Sequence, residues 1–306
     1  MMTIDQLNAR FGAPGRIIFR VGHAGYPNVL VASRYGTAEV ALLGGNVLSY
    51  RPTGQPEVLF RPARRDYNRG EAFHGGIPVC WPQFGNRFDR TLPQHGFARL
   101  LPFAVRGTEY SEEMTEITLG LRSDEETLKL WPHPFDLELK ITVSMKLNLS
   151  LLTKNTGAEP FDFNAGFHPY FLVRERDEAV VRGIDGATIA PENPGRLRSG
   201  TFAGELSVTS DLNEVFAMPV SLKHEYAVID NSLRRAVAMV SAGNTMAVVW
   251  NCGEKPPSDF RPDDWRRYVC VEPVTDWPGG RTLAAGAVHE LTVAIQSTLQ
   301  PAEEAR

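Results

Sequence analysis

Residues 137–146 read Leu-Glu-Leu-Lys-Ile-Thr-Val-Ser-Met-Lys, so that an apolar side chain alternates with a polar one over the whole stretch. Successive side chains of a β-strand point to opposite faces of a sheet, whereas a helix repeats its apolar positions every three to four residues. The alternation therefore predicts a half-buried strand, with its buried face formed by Leu137, Leu139, Ile141, Val143 and Met145.

Shorter runs of the same character recur along the chain, each bounded by Gly, Pro, Asn or Ser. They cover residues 16–21, 28–33, 37–43, 116–121, 226–230, 236–241, 246–250, 268–271 and 288–296. The only helices predicted, over residues 3–10 and 263–267, are short. Many short strands separated by turns favour an antiparallel sandwich or barrel over a parallel sheet with crossover helices. We predict an all-β fold and a single domain over residues 1–306.

The composition excludes several classes of protein. With 32 basic and 36 acidic residues, the net charge of −4 lacks the basic footprint of nucleic-acid binding. The basic cluster of Arg61, Arg64, Arg65 and Arg69 is interpreted first as a solvated surface. Three cysteines without Cys-x-x-Cys spacing predict buried, reduced thiols. Residues 1–12 lack the apolar core of a signal peptide and no run is long enough to span a membrane, so we expect a cytoplasmic protein.

One segment, residues 73–103, differs from the strand-forming regions. It contains Gly-Gly-Ile-Pro-Val-Cys-Trp-Pro at 75–82 and Gln-His-Gly-Phe-Ala-Arg at 94–99. Gly and Pro at this density disfavour regular structure, so the sequence predicts a long loop. Binding residues concentrate on ordered loops of this kind.

Two later motifs complete an ordered set of four, Gly-Phe-His-Pro-Tyr-Phe at residues 166–171 and Val-Cys-Val-Glu-Pro at 269–273. In this order, and through nearly the whole chain, they resemble the glucose-6-phosphate 1-epimerase (hexose-6-phosphate mutarotase) branch of the aldose 1-epimerase family. The resemblance implies a galactose-mutarotase-like super-sandwich of large antiparallel sheets, a monomer, and no metal or organic cofactor. It also implies a small-molecule sugar or sugar phosphate as the substrate.

The resemblance places a general acid at His168 and a general base at Glu272. Opening a cyclic hemiacetal requires removal of a proton from the anomeric hydroxyl and delivery of one to the ring oxygen, which two positioned groups can perform. Glu272 also follows an apolar run, where an unpaired carboxylate is costly to bury. The alternative interpretations are a packed histidine at 168 and a salt bridge from Glu272 to Arg266 or Arg267.

Further residues are expected to bind the substrate. By resemblance, Gln94, His95 and Arg99 hold the sugar hydroxyls and the phosphate, and the planar guanidinium of Arg99 suits an anion. A salt bridge that fixes the loop is the alternative for Arg99. Two positions depart from the branch: His74 stands where Arg usually precedes Gly-Gly-Ile-Pro, and Asn213 opens an Asn-Glu pair where Asp-Arg is usual. Both departures concern the substrate rather than the acid and base.

Three other functions remain to be weighed. A mutarotase of unphosphorylated aldoses needs the same acid and base without an anion site, and a non-catalytic carbohydrate-binding protein could retain the same fold. A glycosidase needs two carboxyl groups flanking the bond, and Glu272 has no second acid in a comparable motif. The seven histidines show no metal-ligand spacing such as His-Glu-x-x-His, so no metal site is predicted.

Overall fold

The computed structural model describes residues 2–22, 25–62, 70–86, 89–190, 200–209, 212–276 and 279–300. Of the predicted basic cluster, Arg61 is included, whereas Arg64, Arg65 and Arg69 lie outside the described residues. Across these ranges, no helix is both long and apolar enough to cross a membrane.

The described residues form 23 strands and two α-helices. The helices are α1 (Ile4–Phe11) and α2 (Glu125–Leu130). The strands of the first part of the chain are β1 (Ile17–Val21), β2 (Pro27–Ser33), β3 (Gly36–Ala41), β4 (Val47–Pro52), β5 (Val79–Cys80), β6 (Ala104–Tyr110), β7 (Thr115–Arg122), β8 (Phe135–Val143), β9 (Leu147–Asn155), β10 (Phe161–Phe163), β11 (Gly166–Phe167) and β12 (Tyr170–Leu172). Those of the second part are β13 (Ala179–Arg182), β14 (Thr188–Ile189), β15 (Gly200–Thr201), β16 (Leu206–Ser207), β17 (Leu212–Ala217), β18 (His224–Asp230), β19 (Arg235–Ala242), β20 (Met246–Asn251), β21 (Tyr268–Val274), β22 (Arg281–Leu283) and β23 (Val288–Leu299).

Two large antiparallel sheets dominate the structure. The nine-stranded sheet has the order β16-β13-β18-β19-β23-β9-β8-β7-β6. The eight-stranded sheet has the order β15-β14-β17-β20-β21-β11-β5, and β12 also pairs with β21. Strands β1 to β4 form a smaller sheet, and β10 pairs with β22. The predicted all-β fold of large antiparallel sheets is confirmed.

The core lies between the two large sheets. On β8, the predicted side chains Leu137, Leu139, Ile141 and Val143 are fully buried, and they belong to the same hydrophobic cluster as Val271 of β21. Face-to-face packing of this kind is what holds a sandwich together, because each fully buried aliphatic side chain stabilises it by about 1.5–3 kcal/mol.

Met145 is the exception to the predicted pattern on β8. Its exposed fraction is 63%, so the expectation of a buried Met145 is wrong. The chain turns after Val143, where the Ser144 N–H donates to the Lys146 carbonyl oxygen, and β9 then runs back beside β8. The alternation in the sequence thus continues beyond the end of the strand.

The helices agree only partly with the sequence. The helix predicted over residues 3–10 is α1, which begins after Thr3 because Thr3 and Gln6 each bond the other's backbone N–H. The segment predicted over 263–267 is a short 3₁₀ helix, Asp264–Arg267. Helix α2 was not predicted, so the expectation of only two helical segments is wrong. At six residues, α2 is too short for a helical period to show in the sequence.

Where the structure describes the loop predicted over residues 73–103, that is at 73–86 and 89–103, it contains β5 and the 3₁₀ turn Ala98–Leu100. Backbone hydrogen bonds fix it to Trp81, whose N–H donates to the His95 carbonyl oxygen and whose carbonyl oxygen accepts from Ala98. Between these bonds, Gly96 has φ 74°, and a Cβ there would overlap the Trp81 carbonyl oxygen. Only glycine meets both conditions.

We expect Gly96→Ala to destabilise the protein more than Gly15→Ala. Gly15 has a similar φ of 71° but open space around its Cβ position, so alanine there bears only the conformational cost of about 1–2 kcal/mol. Gly96→Ala adds a clash with backbone atoms. The free energy of unfolding of both variants, measured by urea denaturation, checks this comparison. An equal decrease in the free energy of unfolding in both variants would show that the backbone near Gly96 can move to accommodate the added methyl group.

Candidate active site

Glu272 lies on the outward face of the eight-stranded sheet. Strand β21 is buried along its whole length, but Val269 and Val271 belong to the core between the sheets. Because side chains alternate along a strand, Cys270 and Glu272 point to the opposite face. Glu272 is nevertheless only 1% exposed, because loops and aromatic side chains cover this face.

His168 is held opposite Glu272 by strand register. Gly166 pairs with Val274 and Tyr170 pairs with Cys270, so the residue midway between them stands across from Glu272. His168 belongs to neither β11 nor β12, and its N–H donates to the Pro78 carbonyl oxygen instead. Its Nε2 lies 3.3 Å from Oε2 of Glu272.

This His168–Glu272 contact has the distance of an ion pair without the alignment of a hydrogen bond, since Oε2 of Glu272 has no hydrogen-bond partner. Within the described residues, the ion-pair partner of Glu272 is therefore His168 rather than Arg266 or Arg267. The two groups predicted to be the acid and base meet each other directly.

Aromatic rings enclose the His168 imidazole. It stacks on Tyr170 with ring centroids 4.8 Å apart and meets the edge of Trp250 at 5.7 Å. His95 approaches it edge-on at 5.5 Å, and Phe84 lies at 6.4 Å. The His168 side chain is only 10% exposed, so water contributes little to solvating a charge there.

Burial sets the protonation of this pair. Burial, and then the positive charges of Arg99 and His74, lower the pKa of His168 to about 3. Burial also raises the pKa of Glu272 well above its usual value. The 3.3 Å distance suits an ion pair or a neutral pair, and desolvation favours the neutral one, with the proton on Glu272. The charged and neutral forms of the pair differ only in which group holds the proton, so they have the same total charge.

The second loop motif supplies a histidine and an arginine to the same site. Nδ1 of His95 accepts a hydrogen bond from the Gly85 N–H at 3.2 Å, which leaves Nε2 protonated as a donor. Burial, followed by the charge of Arg99, lowers the pKa of His95 well below its usual value. His95 is thus held neutral as a hydrogen-bond donor.

Arg99 donates from Nη2 to the backbone carbonyl oxygen of Gln94 at 2.7 Å. Among the residues that the structure describes it has no ion-pair partner, and its Nε is buried without a hydrogen-bond partner. The proposed loop-fixing salt bridge of Arg99 is therefore not found in this part of the chain. Gln94 contributes its backbone carbonyl to this contact, and the residue is exposed.

The two departures from the family pattern have different surroundings. Nδ1 of His74 lies 2.9 Å from Oδ1 of Asp259, a carboxylate only 6% exposed, and the charge of His74 acts on both His168 and His95. Asn213 is exposed on β17, where it pairs with Trp250 and through it with Cys270. It shares the outward face of the sheet but lies two strands away from β21.

The sequence did not single out Cys270, although its i, i+2 spacing from Glu272 already places both on one face of a strand. Donor atoms of His168, Cys270 and Glu272 all lie within 4.8 Å of one another, so these three residues could hold a metal ion. Trp250 was also missed, and nothing local in the sequence relates it to His168. All three cysteines are buried and none forms a disulfide bond, as predicted.

Comparison with known proteins identifies related chains. The profile of the aldose 1-epimerase family matches residues 28–296. A protein from Cenchrus ciliaris, provisionally named glucose-6-phosphate 1-epimerase, is 30% identical over 257 residues, or 80% of this chain and 77% of the relative. A protein of the same provisional name from Escherichia coli K12 is 30% identical over 238 residues, or 77% and 78% of the two chains.

Solved structures share the fold. A Salmonella typhimurium protein provisionally named a mutarotase superimposes with a TM-score of 0.80 and 27% identity, covering 90% of this chain and 91% of that one. A galactose mutarotase-like protein from Clostridium acetobutylicum gives a TM-score of 0.75 at 17% identity, covering 93% and 98% of the two chains. At that identity, the second likeness concerns the fold alone.

We expect Glu272→Gln to stabilise the protein above about pH 4.3. Because burial raises the pKa of Glu272, the unfolded chain loses this proton first, and wild-type stability falls as pH rises until the folded carboxyl group ionises. Glutamine has no such proton. The stability difference should be near zero at pH 4 and grow by up to about 1.4 kcal/mol per pH unit above that. Urea denaturation between pH 4 and 8 measures it, and a variant less stable than wild type at pH 8 would contradict it.

Proposed function

Because the chain belongs to the aldose 1-epimerase family and is an isomerase of that type, we propose that it interconverts the α and β anomers of a hexose 6-phosphate. His168 acts as the general acid and Glu272 as the general base in this proposal. The observation that carries it is the 3.3 Å distance between Nε2 and Oε2. The anomeric hydroxyl and the ring oxygen are both bonded to C1, so their acid and base must be neighbours.

Ring opening uses the charged form of the pair. The Glu272 carboxylate removes the proton of the anomeric hydroxyl while the protonated imidazole of His168 donates to the ring oxygen, and the bond from C1 to the ring oxygen breaks. The product is the open-chain aldehyde. Rotation about its C1–C2 bond presents the other face of the carbonyl group to the C5 hydroxyl.

Ring closure uses the neutral form. Neutral His168 takes the proton of the C5 hydroxyl as that oxygen attacks C1, and protonated Glu272 returns its proton to the carbonyl oxygen. This is the form that burial favours in the free protein. Ring opening therefore leaves the pair in the form that ring closure needs, and ring closure restores the form that ring opening needs. After one turnover His168 and Glu272 together hold the same number of protons as before.

The position of Arg99 supports a phosphate on the substrate. In a hexopyranose 6-phosphate, C6 is attached to C5, which bears the ring oxygen, so the phosphate lies on the side of the sugar that faces the acid. Arg99 is close enough to His168 for its charge to lower the pKa of that histidine, and it has no anionic partner among the described residues. A guanidinium in this state suits a phosphate oxygen.

The phosphate would also prepare the acid. A dianion beside Arg99 offsets the positive charge that lowers the pKa of His168. The proton then moves more readily from Glu272 to His168, which gives the charged pair required for ring opening. Binding of the phosphate is in this way coupled to the chemistry at C1, as remote binding energy often is in enzymes.

A second candidate is a mutarotase of unphosphorylated aldoses. The observation that favours it is the carboxylate of Asp259 against His74, which places negative charge where the branch usually has an arginine. This function requires the same acid and base and no anion site. A non-catalytic sugar-binding protein would not require the close contact of His168 with Glu272.

We expect His168→Ala and Glu272→Gln each to lower kcat by about 10²- to 10⁴-fold, because each removes one proton-transfer group. Polarimetry or exchange NMR on glucose 6-phosphate measures the rate, and circular dichroism confirms folding. His224→Gln serves as the control, since His224 is equally buried but lies on β18 of the other large sheet. Near-normal turnover in either active-site variant would refute the assignment of the acid and base.

We expect Arg99→Gln to raise KM for glucose 6-phosphate by about 10- to 100-fold, the equivalent of a charged hydrogen bond of about 1.5–3 kcal/mol. KM for glucose should change little, because glucose bears no phosphate. Arg122→Gln, at an exposed arginine of β7, is the matched control.

His74→Arg restores the residue usual in the branch and should lower KM for glucose 6-phosphate. To decide between the two candidate functions, kcat and KM are measured for glucose and glucose 6-phosphate in wild type, Arg99→Gln, Arg122→Gln and His74→Arg. If kcat/KM were the same for glucose and glucose 6-phosphate in every one of these proteins, the result would favour a mutarotase of unphosphorylated aldoses.

A further inference from the structure

Cys270 lies beside the acid and base but takes no part in the proposed proton transfers. Its donor atom lies within 4.8 Å of those of His168 and Glu272. It is fully buried, pairs directly with Trp250 in the strand register and stands two residues before Glu272. An imidazole nitrogen, a thiol sulfur and a carboxyl oxygen therefore converge on one point of the sheet face.

The spacing of these donors suits a tetrahedral ion. Zinc binds histidine nitrogen and carboxylate oxygen at about 2.0–2.2 Å and thiolate sulfur at about 2.3 Å, so two donors on one tetrahedral ion lie about 3.3–3.8 Å apart. Nε2 of His168 and Oε2 of Glu272 are already 3.3 Å apart. The Cys270 sulfur lies within 4.8 Å of the other two donors, so the three side chains need to approach one another by about 1 Å at most to reach this spacing.

A second observation comes from hydrogen bonding. The Glu272 side chain is only 1% exposed, and its buried Oε2 has no hydrogen-bond partner. Buried polar atoms in folded proteins are nearly always satisfied, and an exception indicates a missing ligand or a functional role. The oxygen without a partner is the one that faces the imidazole nitrogen.

We propose that the active site binds a thiophilic divalent cation, such as Zn²⁺, through His168, Cys270 and Glu272, and that this ion competes with the sugar. The competition rests on the proposed function, whereas the binding does not. A thiolate and a carboxylate together neutralise the two charges of the ion, so the buried complex carries no net charge. Three protein ligands leave the fourth position to water.

The ion would inhibit because it takes the two groups that turnover requires. Coordination occupies the lone pair of Nε2 with which His168 carries its proton, and it occupies the carboxylate of Glu272. It also occupies the position next to both groups where the reacting atoms of the sugar must lie. The thiolate selects Zn²⁺ and Cd²⁺ over Mg²⁺ and Ca²⁺, which prefer oxygen ligands.

Binding is tested first, without any sugar. Isothermal titration of the chelator-treated protein with Zn²⁺ should give one site per chain. Cys270→Ala should lower the Zn²⁺ affinity by at least about 100-fold, because losing a residue that only hydrogen-bonds a metal ligand already costs up to about 100-fold and Cys270 is a direct ligand. Cys252→Ala is the matched control, because Cys252 is buried in the same aromatic cluster but outside the donor group. Mg²⁺ should not bind.

Cd²⁺ identifies the sulfur ligand directly. A thiolate-to-cadmium charge-transfer band should develop in wild type and in Cys252→Ala and be missing in Cys270→Ala. Cys270→Ser, which keeps the size of the side chain, repeats the comparison should the alanine variant fold poorly. Equal Zn²⁺ affinity in wild type and both Cys270 variants, or a band that persists in them, would overturn the proposal.

Competition is tested last. Zn²⁺ should raise the apparent KM for the sugar in wild type and Cys252→Ala, EDTA should reverse this, and Cys270→Ala should remain active and resistant. Zn²⁺ inhibition of equal strength in Cys270→Ala would refute the competition. A wild-type protein that binds Zn²⁺ at Cys270 but shows no mutarotation would refute the proposed function and leave the metal site standing.

Discussion

The contact between His168 and Glu272 depends on the burial of two ionisable groups on one face of a sheet. Desolvation pushes their pKa values in opposite directions, so that the proton is held by the carboxyl group in the free protein. In water the same two groups would form a solvated ion pair. Burial therefore shifts the balance from the charged arrangement of the pair to the neutral one, and the surrounding structure serves to maintain that burial.

The architecture supplies burial on both faces of β21. One face packs against the nine-stranded sheet, and the other is covered by loops and by rings such as Tyr170 and Trp250. The strand opposite Glu272 is interrupted at His168, whose backbone bonds the Gly-Gly-Ile-Pro loop rather than β21. Strand register still places the imidazole across from the carboxyl group. A continuous strand would use those backbone groups in its ladder.

Positive charge around the site links substrate choice to acid strength. Arg99 and His74 both lower the pKa of His168, and a phosphate that approaches them would reverse this effect. The carboxylate of Asp259 moderates the charge at His74. The same convergence of polar groups that serves proton transfer also creates a set of metal donors once Cys270 is included. A carboxyl oxygen without a hydrogen-bond partner, a neutral imidazole and a thiol are together suited to bind a thiophilic cation.

The sequence alone determined the strands with strong alternation, as at Leu137 to Val143, because the two-residue period is a local property. It also determined that Cys270 and Glu272 share a face, and the ordered motifs indicated the family and the residues that converge. It could not show α2, which is too short to display a period, or the end of β8 before Met145. Only the tertiary structure decided that His168 stands 3.3 Å from Glu272, that Asp259 meets His74, and that Trp250 covers the imidazole. These contacts join segments far apart in the chain, and strand register, not local propensity, brings such segments together.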